Sequence, residues 1–237
     1  DANAEARFFR EATLASRVAH PNLVAIEDFG RDGGDGQPFL VMEWLDGTSL
    51  AARLRSVPLS VPDAVRIARY VLAGLSAVHS TGVVHRDVKP GNIFLARDAH
   101  GQSTVRLLDF GLAKLPETDE LNLTQMGMFV GTPEYVAPEQ ALGECVDART
   151  DIYALGATLY EMVTGQPPFI GKNFAHVLAQ QVEGRPILVR TRTPGRGISL
   201  LLERIIDKCL AKEPSQRFSS AVAVSDALAV VDAWTTQ

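Results

Sequence analysis

The sequence predicts an α+β chain, a small strand-bearing N-terminal part followed by a mostly helical body. Three observations predict it. Two short apolar runs, Leu23 to Phe29 and Pro38 to Glu43, flank the Gly-rich stretch Arg31 to Gly36, the pattern of a hairpin. Val61 to Thr81 has helical spacing, with Pro62 near its first turn and Gly82 after its end. From Thr150 onward apolar residues again recur at helical spacing. A chain of 237 residues is enough for one large domain or two small lobes around a hydrophobic core.

Taken in order, Glu5 to Ala19 predicts a helix whose apolar face holds Phe8, Ala12, Ala15 and Ala19, stopped by His20-Pro21. The two strands follow. After Trp44 the strand signal fades, and Ser49 to Arg55 predicts a short helix before the long one. Val83 to Leu95 is short, apolar and interrupted by charges and Pro90. Val105 to Leu108 predicts a strand after a turn at Asp98–Ser103, and Leu115 to Gly131 has no steady period and predicts a loop. The last helices are predicted at Thr150–Thr164, Asn173–Val182, Ser199–Ala211 and Ser219–Ala233. The boundary between the two parts falls at 43/44.

Composition is that of an ordinary globular protein, 46% apolar and 22% charged. The net charge of −5 supplies no basic field for nucleic acid or an anionic membrane. No run of about 18 apolar residues occurs, so no membrane span is predicted. Asp1 to Arg10 carries four charges and does not resemble a signal peptide. Cys145 and Cys209 are far apart and predict two reduced thiols in a cytosolic fold. The chain begins with Asp1 inside a predicted helix and reads as a piece of a longer protein.

The chemistry-bearing segment is His85-Arg86-Asp87-Val88-Lys89-Pro90-Gly91-Asn92. Asp109-Phe110-Gly111 follows at a strand end, and Ala137-Pro138-Glu139 follows that. Three motifs in this order resemble the signature set of eukaryotic-type protein serine/threonine kinases, in bacterial style. The resemblance runs from Glu11 to Arg217 and implies a protein-kinase-like fold. Residues 1–43 would be a partial N-lobe holding the αC helix and two strands, and residues 44–237 the hinge and helical C-lobe.

Phosphoryl transfer needs positioning and cancellation of negative charge more than covalent help. Hard cations on a triphosphate take oxygen ligands, and Asn92 and Asp109 supply an amide and a carboxylate. Asp87, five residues before Asn92, can face an incoming hydroxyl and orient it or accept its proton. Lys89 offers a fixed cation for the transferring group. The pattern His-Arg-Asp-x-Lys-x-x-Asn accompanies Ser/Thr specificity in this family, and Thr132 in Gly131-Thr132-Pro133-Glu134-Tyr135 would bridge Asp87 and Lys89.

Other roles come from the resemblance alone. Glu11 stands where the αC glutamate belongs, but its usual lysine partner and a Gly-rich loop do not occur in the ten residues before it. Met42 would be the gatekeeper, Glu43 and Leu45 would read the adenine edge through backbone groups, and Phe94 would pack beneath the ring. Asp151 would bind the catalytic-loop backbone, Glu139 and Arg217 would form an ion pair, and Ile26, Ala15, His85 and Phe110 would stack as an apolar column. Arg86 would meet a phosphate on the activation loop, with Thr124 the first acceptor and Thr118 the second. His20, His79, His100 and His176 read as structural or exposed.

The resemblance implies ATP with Mg²⁺, or Mn²⁺ in its place, and protein substrates bearing Ser or Thr. It implies a dimer for autophosphorylation and a cytoplasmic setting, free or as part of a membrane-anchored protein. Residues 1–237 alone are expected to bind MgATP weakly, because half of the phosphate clamp is not among them. Two other readings stay open at this stage. One is a non-catalytic pseudokinase scaffold, and the other is a kinase acting on small molecules.

Overall fold

The computed structural model describes residues 2–34, 36–97, 103–108 and 132–235. Its small N-terminal part begins with helix α1 (Ala2–Ser16), followed by β1 (Ile26–Arg31) and β2 (Pro38–Met42). The strands form an antiparallel pair running from Ile26↔Met42 to Arg31↔Pro38. Asp32 N–H donates to Gln37 C=O at 2.9 Å and closes the turn. Helix α1 lies against β1 through Phe9, whose ring meets Phe29 at 6.5 Å and carries the Arg31 guanidinium 5.5 Å above it. The helix ends at Ser16, short of the predicted stop, and Ala19 is exposed. Long-range pairing explains the early end, because residues 22–24 run beside a strand of the second part.

That second part opens with β3 (Gly47–Ser49), helix α2 (Leu50–Leu54) and helix α3 (Val61–His79), continuing to β4 (Ile93–Arg97) and β5 (Ser103–Leu107). Strands β3, β4 and β5 form an antiparallel sheet. Strand β3 was not predicted. It is three residues long and depends on a close approach, since a Cβ on Gly47 would lie 2.1 Å from the Leu95 carbonyl oxygen. Ser49 and Ser60 cap α2 and α3 by accepting from Ala52 N–H and Asp63 N–H.

Residues 22–24 join the two parts. Leu107 N–H donates to Asn22 C=O at 2.9 Å, and Val24 N–H donates to Leu107 C=O at 3.0 Å. The Asn22 side chain donates to Val105 C=O at 3.0 Å, and Leu23 is buried.

The remaining helices are α4 (Pro138–Ala141), α5 (Ala148–Thr164), α6 (Phe174–Glu183), α7 (Val189–Arg192), α8 (Leu200–Cys209) and α9 (Ala221–Thr235). Helix α5 is buried nearly all round and forms the core's axis, capped by Asp147 and ended by Gly165 at φ 84°. Its Tyr153, Leu159 and Met162 share one apolar core with Leu72 and Leu75 of α3, Ile206 of α8 and Leu228 of α9. A Cβ on Gly156 would lie 2.6 Å from the Cys209 Cβ, so α5 and α8 meet at a distance only glycine allows. Cys209 is buried, and desolvation pushes its thiol up to about 12; Cys145 is exposed. Helices α4 and α7 span four residues each, too few for a period to show in sequence. Among the described residues no helix is long and apolar enough to cross a membrane.

Candidate active site

The segment between α3 and β4 holds the candidate catalytic residues. Lys89 is extended, and Pro90 then opens a single 3₁₀ turn, Pro90–Asn92, closed by Asn92 N–H donating to Lys89 C=O at 3.0 Å. The turn brings the Asn92 side chain back to Asp87. The Asn92 amide donates to the Asp87 carbonyl at 2.9 Å and to its Oδ2 at 2.8 Å. Lys89 Nζ donates to both Asp87 carboxylate oxygens, at 3.0 and 2.9 Å. A carboxylate, an ammonium and a carboxamide thus form one cluster, with the carboxylate and the ammonium each less than one-fifth exposed.

The backbone beneath the cluster is held from below. Asp151 of α5 is fully buried, and its carboxylate accepts the N–H groups of His85 and Arg86 at 2.8 and 2.7 Å. His79, at the end of α3, meets the same carboxylate at 2.7 Å. Arg86 has φ 66°, left-handed for a residue with a Cβ, and such a conformation costs about 1–3 kcal/mol and persists only where its surroundings impose it. His85 Nε2 lies 2.8 Å from the Leu108 carbonyl, which can only accept, so Nε2 carries the proton. Its Nδ1 then accepts Asp87 N–H at 3.3 Å. Leu108 N–H donates to Asn92 C=O at 2.8 Å, which ties the end of β5 to the same turn.

Replacing Asp151 by Asn would leave one acceptor where two amides and His79 converge. The Asp151→Asn protein is expected to lose about 2 kcal/mol of stability and to exchange the His85 or Arg86 amide faster than wild type. Unchanged urea midpoint and unchanged exchange would contradict this.

The family profile described as "Protein kinase domain" matches residues 1–229. The chain belongs to the protein kinase domain family. It is 40% identical over 235 residues to the serine/threonine-protein kinase pkn3 of Myxococcus xanthus, covering 98% of this chain and 43% of that protein. It is 38% identical over 218 residues to the serine/threonine-protein kinase PknB of Mycobacterium leprae, covering 91% of this chain and 34% of that protein. The chain therefore spans less than half the length of these curated relatives. The crystal structure of the Mycobacterium tuberculosis PknI kinase domain superposes with a TM-score of 0.73 at 27% identity, covering 97% of this chain and 79% of that one. These relatives support the α+β kinase fold expected from the sequence, and the family implies use of ATP, a divalent metal and protein substrates.

The other predicted kinase residues are distributed as follows. Glu139 is 3% exposed, and both its oxygens meet Arg217 at 2.7 Å; Thr150 donates to one of them at 2.8 Å. All five Arg217 donors are used, the others on the carbonyls of Ala211, Arg149 and Lys212. Burial alone would raise the Glu139 carboxyl, but the hydrogen bonds and charge of Arg217 more than offset it and hold the group below its ordinary value. Glu43 N–H donates to Ala25 C=O, and its carboxylate accepts Ala25 N–H at 2.9 Å. Met42 is 40% exposed on β2, and Leu45 and Phe94 are partly buried. Glu11 and Ala15 lie in α1 with side chains outside the description; Asp109, Phe110, His100, Thr118 and Thr124 lie outside the described residues.

Thr132 is exposed, and its side chain caps no helix. The structure does not bring its hydroxyl into a hydrogen bond with Asp87 or Lys89. The segment it begins is held instead by groups that the motif reading missed. Tyr135 donates to Glu161 of α5, and Gln181 of α6 donates to the Pro133 carbonyl at 2.9 Å. Burial first, and then the Glu161 charge, push the Tyr135 hydroxyl far up, so it stays a donor.

Among the described residues, Asn92 offers an oxygen suited to a hard cation. The Asn92 nitrogen is taken by Asp87, so its oxygen is the atom suited to a metal. Among the described residues no group of three or more His, Cys, Asp or Glu side chains is arranged to hold a metal.

Proposed function

We propose that the chain forms the greater part of a protein serine/threonine kinase catalytic domain. It would transfer the γ-phosphoryl group of ATP to Ser or Thr hydroxyls of proteins. The observation that carries this reading is the joining of Asp87, Lys89 and Asn92 in one cluster on a backbone held by Asp151. Residues 1–43 act as part of the nucleotide-side lobe, and residues 44–237 as the hinge and substrate-side lobe. The bacterial relatives, serine/threonine-protein kinases, support the Ser/Thr class. The Rad53 kinase domain, solved with AMPPNP and superposing with a TM-score of 0.71 at 25% identity, supports the nucleotide.

In this mechanism Asp87 accepts a hydrogen bond from the substrate hydroxyl and aims its oxygen at the phosphorus. As the oxygen–phosphorus bond forms, the bond from that phosphorus to the β,γ-bridging oxygen breaks and ADP leaves with its electron pair, while the hydroxyl proton passes to the Asp87 carboxylate. Lys89 lies beside Asp87 and offsets negative charge that builds on the transferring group. Asn92 holds Asp87 with its nitrogen and, with Asp109, would hold Mg²⁺ or Mn²⁺; that ion would neutralise the phosphates. Asp151 acts at a distance by holding the strained peptide that precedes the base. Glu11, Met42, Glu43, Leu45 and Phe94 would face the nucleotide, and Arg86 would read a phosphate on Thr124. The need for ATP agrees with a cytoplasmic setting.

The test is phosphoryl transfer by the full-length protein with γ-labelled ATP, Mg²⁺ and a generic basic protein, followed by phosphoamino-acid analysis. Label on serine and threonine is expected. Label on tyrosine alone, or only on an aminoglycoside-type compound supplied alongside, would overturn the reading.

A further inference from the structure

We propose that Gln140 is a positioning residue for the catalytic loop. It would hold the peptide group that aims Asp87 and tie it to the segment beginning at Thr132. The proposal rests on the kinase reading above. Gln140 is 5% exposed and lies in the single turn of α4. Its Oε1 accepts Ala137 N–H at 3.1 Å, and its Nε2 donates to the Arg86 carbonyl at 3.0 Å, 54 residues away in the chain.

The Arg86–Asp87 peptide is thereby held at both ends, its carbonyl by Gln140 and its N–H by His85 Nδ1. Asp151 holds the N–H of Arg86 on the peptide before it. Arg86 stands at φ 66°, a conformation that side-chain-bearing residues leave when released. With Gln140 removed, the peptide is restrained at one end only. Rotation about ψ of Arg86 and φ of Asp87 then swings the Asp87 carboxylate away from its bond with Asn92. Gln140 also fixes Ala137, so one amide sets the distance between the base and the segment that follows the activation loop. Only a side chain with an acceptor and a donor on one planar group can serve an N–H and a C=O together. Glutamate serves the N–H but offers the carbonyl no donor. Methionine serves neither, while filling a similar volume.

The experiment compares Gln140→Glu and Gln140→Met in the full-length protein, below the melting transition of each. In both, kcat for a peptide substrate is expected to fall ~10-fold with KM for ATP unchanged. Amide exchange at Asp87 is expected to be faster in both. A role confined to capping α4 predicts wild-type kcat in Gln140→Glu, and that result would overturn the proposal. So would wild-type exchange at Asp87 in either variant. If Gln140→Met does not fold, Gln140→Glu alone decides. If wild type transfers no phosphate, the kinase reading fails, while the exchange measurement still judges Gln140.

Discussion

Asp87→Asn is expected to lower phosphoryl transfer ~10³-fold while leaving the melting temperature nearly unchanged. The substitution keeps the size of the side chain and its place in the loop. Asparagine still offers an oxygen to the Asn92 amide, but it carries no charge for Lys89, whose Nζ lies 2.9 Å from one carboxylate oxygen. It also cannot take the substrate's proton. The pair is less than one-fifth exposed, between the surface pairs that contribute about 0–1 kcal/mol and fully buried ones. The isosteric asparagine, however, keeps an oxygen beside Lys89 and Asn92, so the fold should tolerate the change. A rate within about ten-fold of wild type would remove Asp87 from the role of base. A large drop in melting temperature together with the rate would show that Asp87 acts structurally.

The largest stability effect is expected at Glu139 and Arg217. Both side chains are essentially excluded from solvent, and the fork is bidentate. Arg217→Met leaves a buried carboxylate with only Thr150 and a nearby backbone group, and Glu139→Ala leaves a buried guanidinium. Either single change should cost about 3–5 kcal/mol, which corresponds to a melting shift on the order of 10 °C for a domain of this size. The double replacement should cost less than the sum, because neither charge is then stranded. Additive losses in urea titrations of the singles and the double would refute this account.

The same pair gives a pH signature. The folded-state pKa of Glu139 lies below its ordinary value of 4.5, so its contribution is fully present above that value. It is lost as pH falls through the depressed pKa. Acid unfolding of Glu139→Gln should therefore be less steep than wild type below the ordinary carboxylate range.

How much of this could be read from residue order depends on distance along the chain. Asp87, Lys89 and Asn92 fall within six residues around Pro90, so any tight loop there had to gather them. The helices with caps and period, α3, α5, α6, α8 and α9, were legible within a few residues of their ends. Strand β3 was not, since its three residues take their shape from β4 and from a glycine at a close approach. The turns α4 and α7 were too short for a pattern. The supports of the site were hidden for another reason. His79 reaches Asp151 across 72 residues and Gln140 reaches Arg86 across 54, and spacing holds no information on such pairs. Family resemblance suggested Asp151 but was silent on Gln140 as a link.

The stitch between residues 22–24 and β5 centres on the peptide groups of Leu107, which donates its N–H to Asn22 and accepts Val24 N–H on its C=O. The side chains of Asn22 and Arg106 add bonds across it, to Val105 C=O and to the carbonyls of Pro21 and Leu23. Displacing residues 22–24 from β5 therefore costs these backbone bonds. The next residue, Leu108, is bonded to His85 and Asn92. The junction of the two parts and the loop that holds Asp87 thus share two adjacent residues of one strand end.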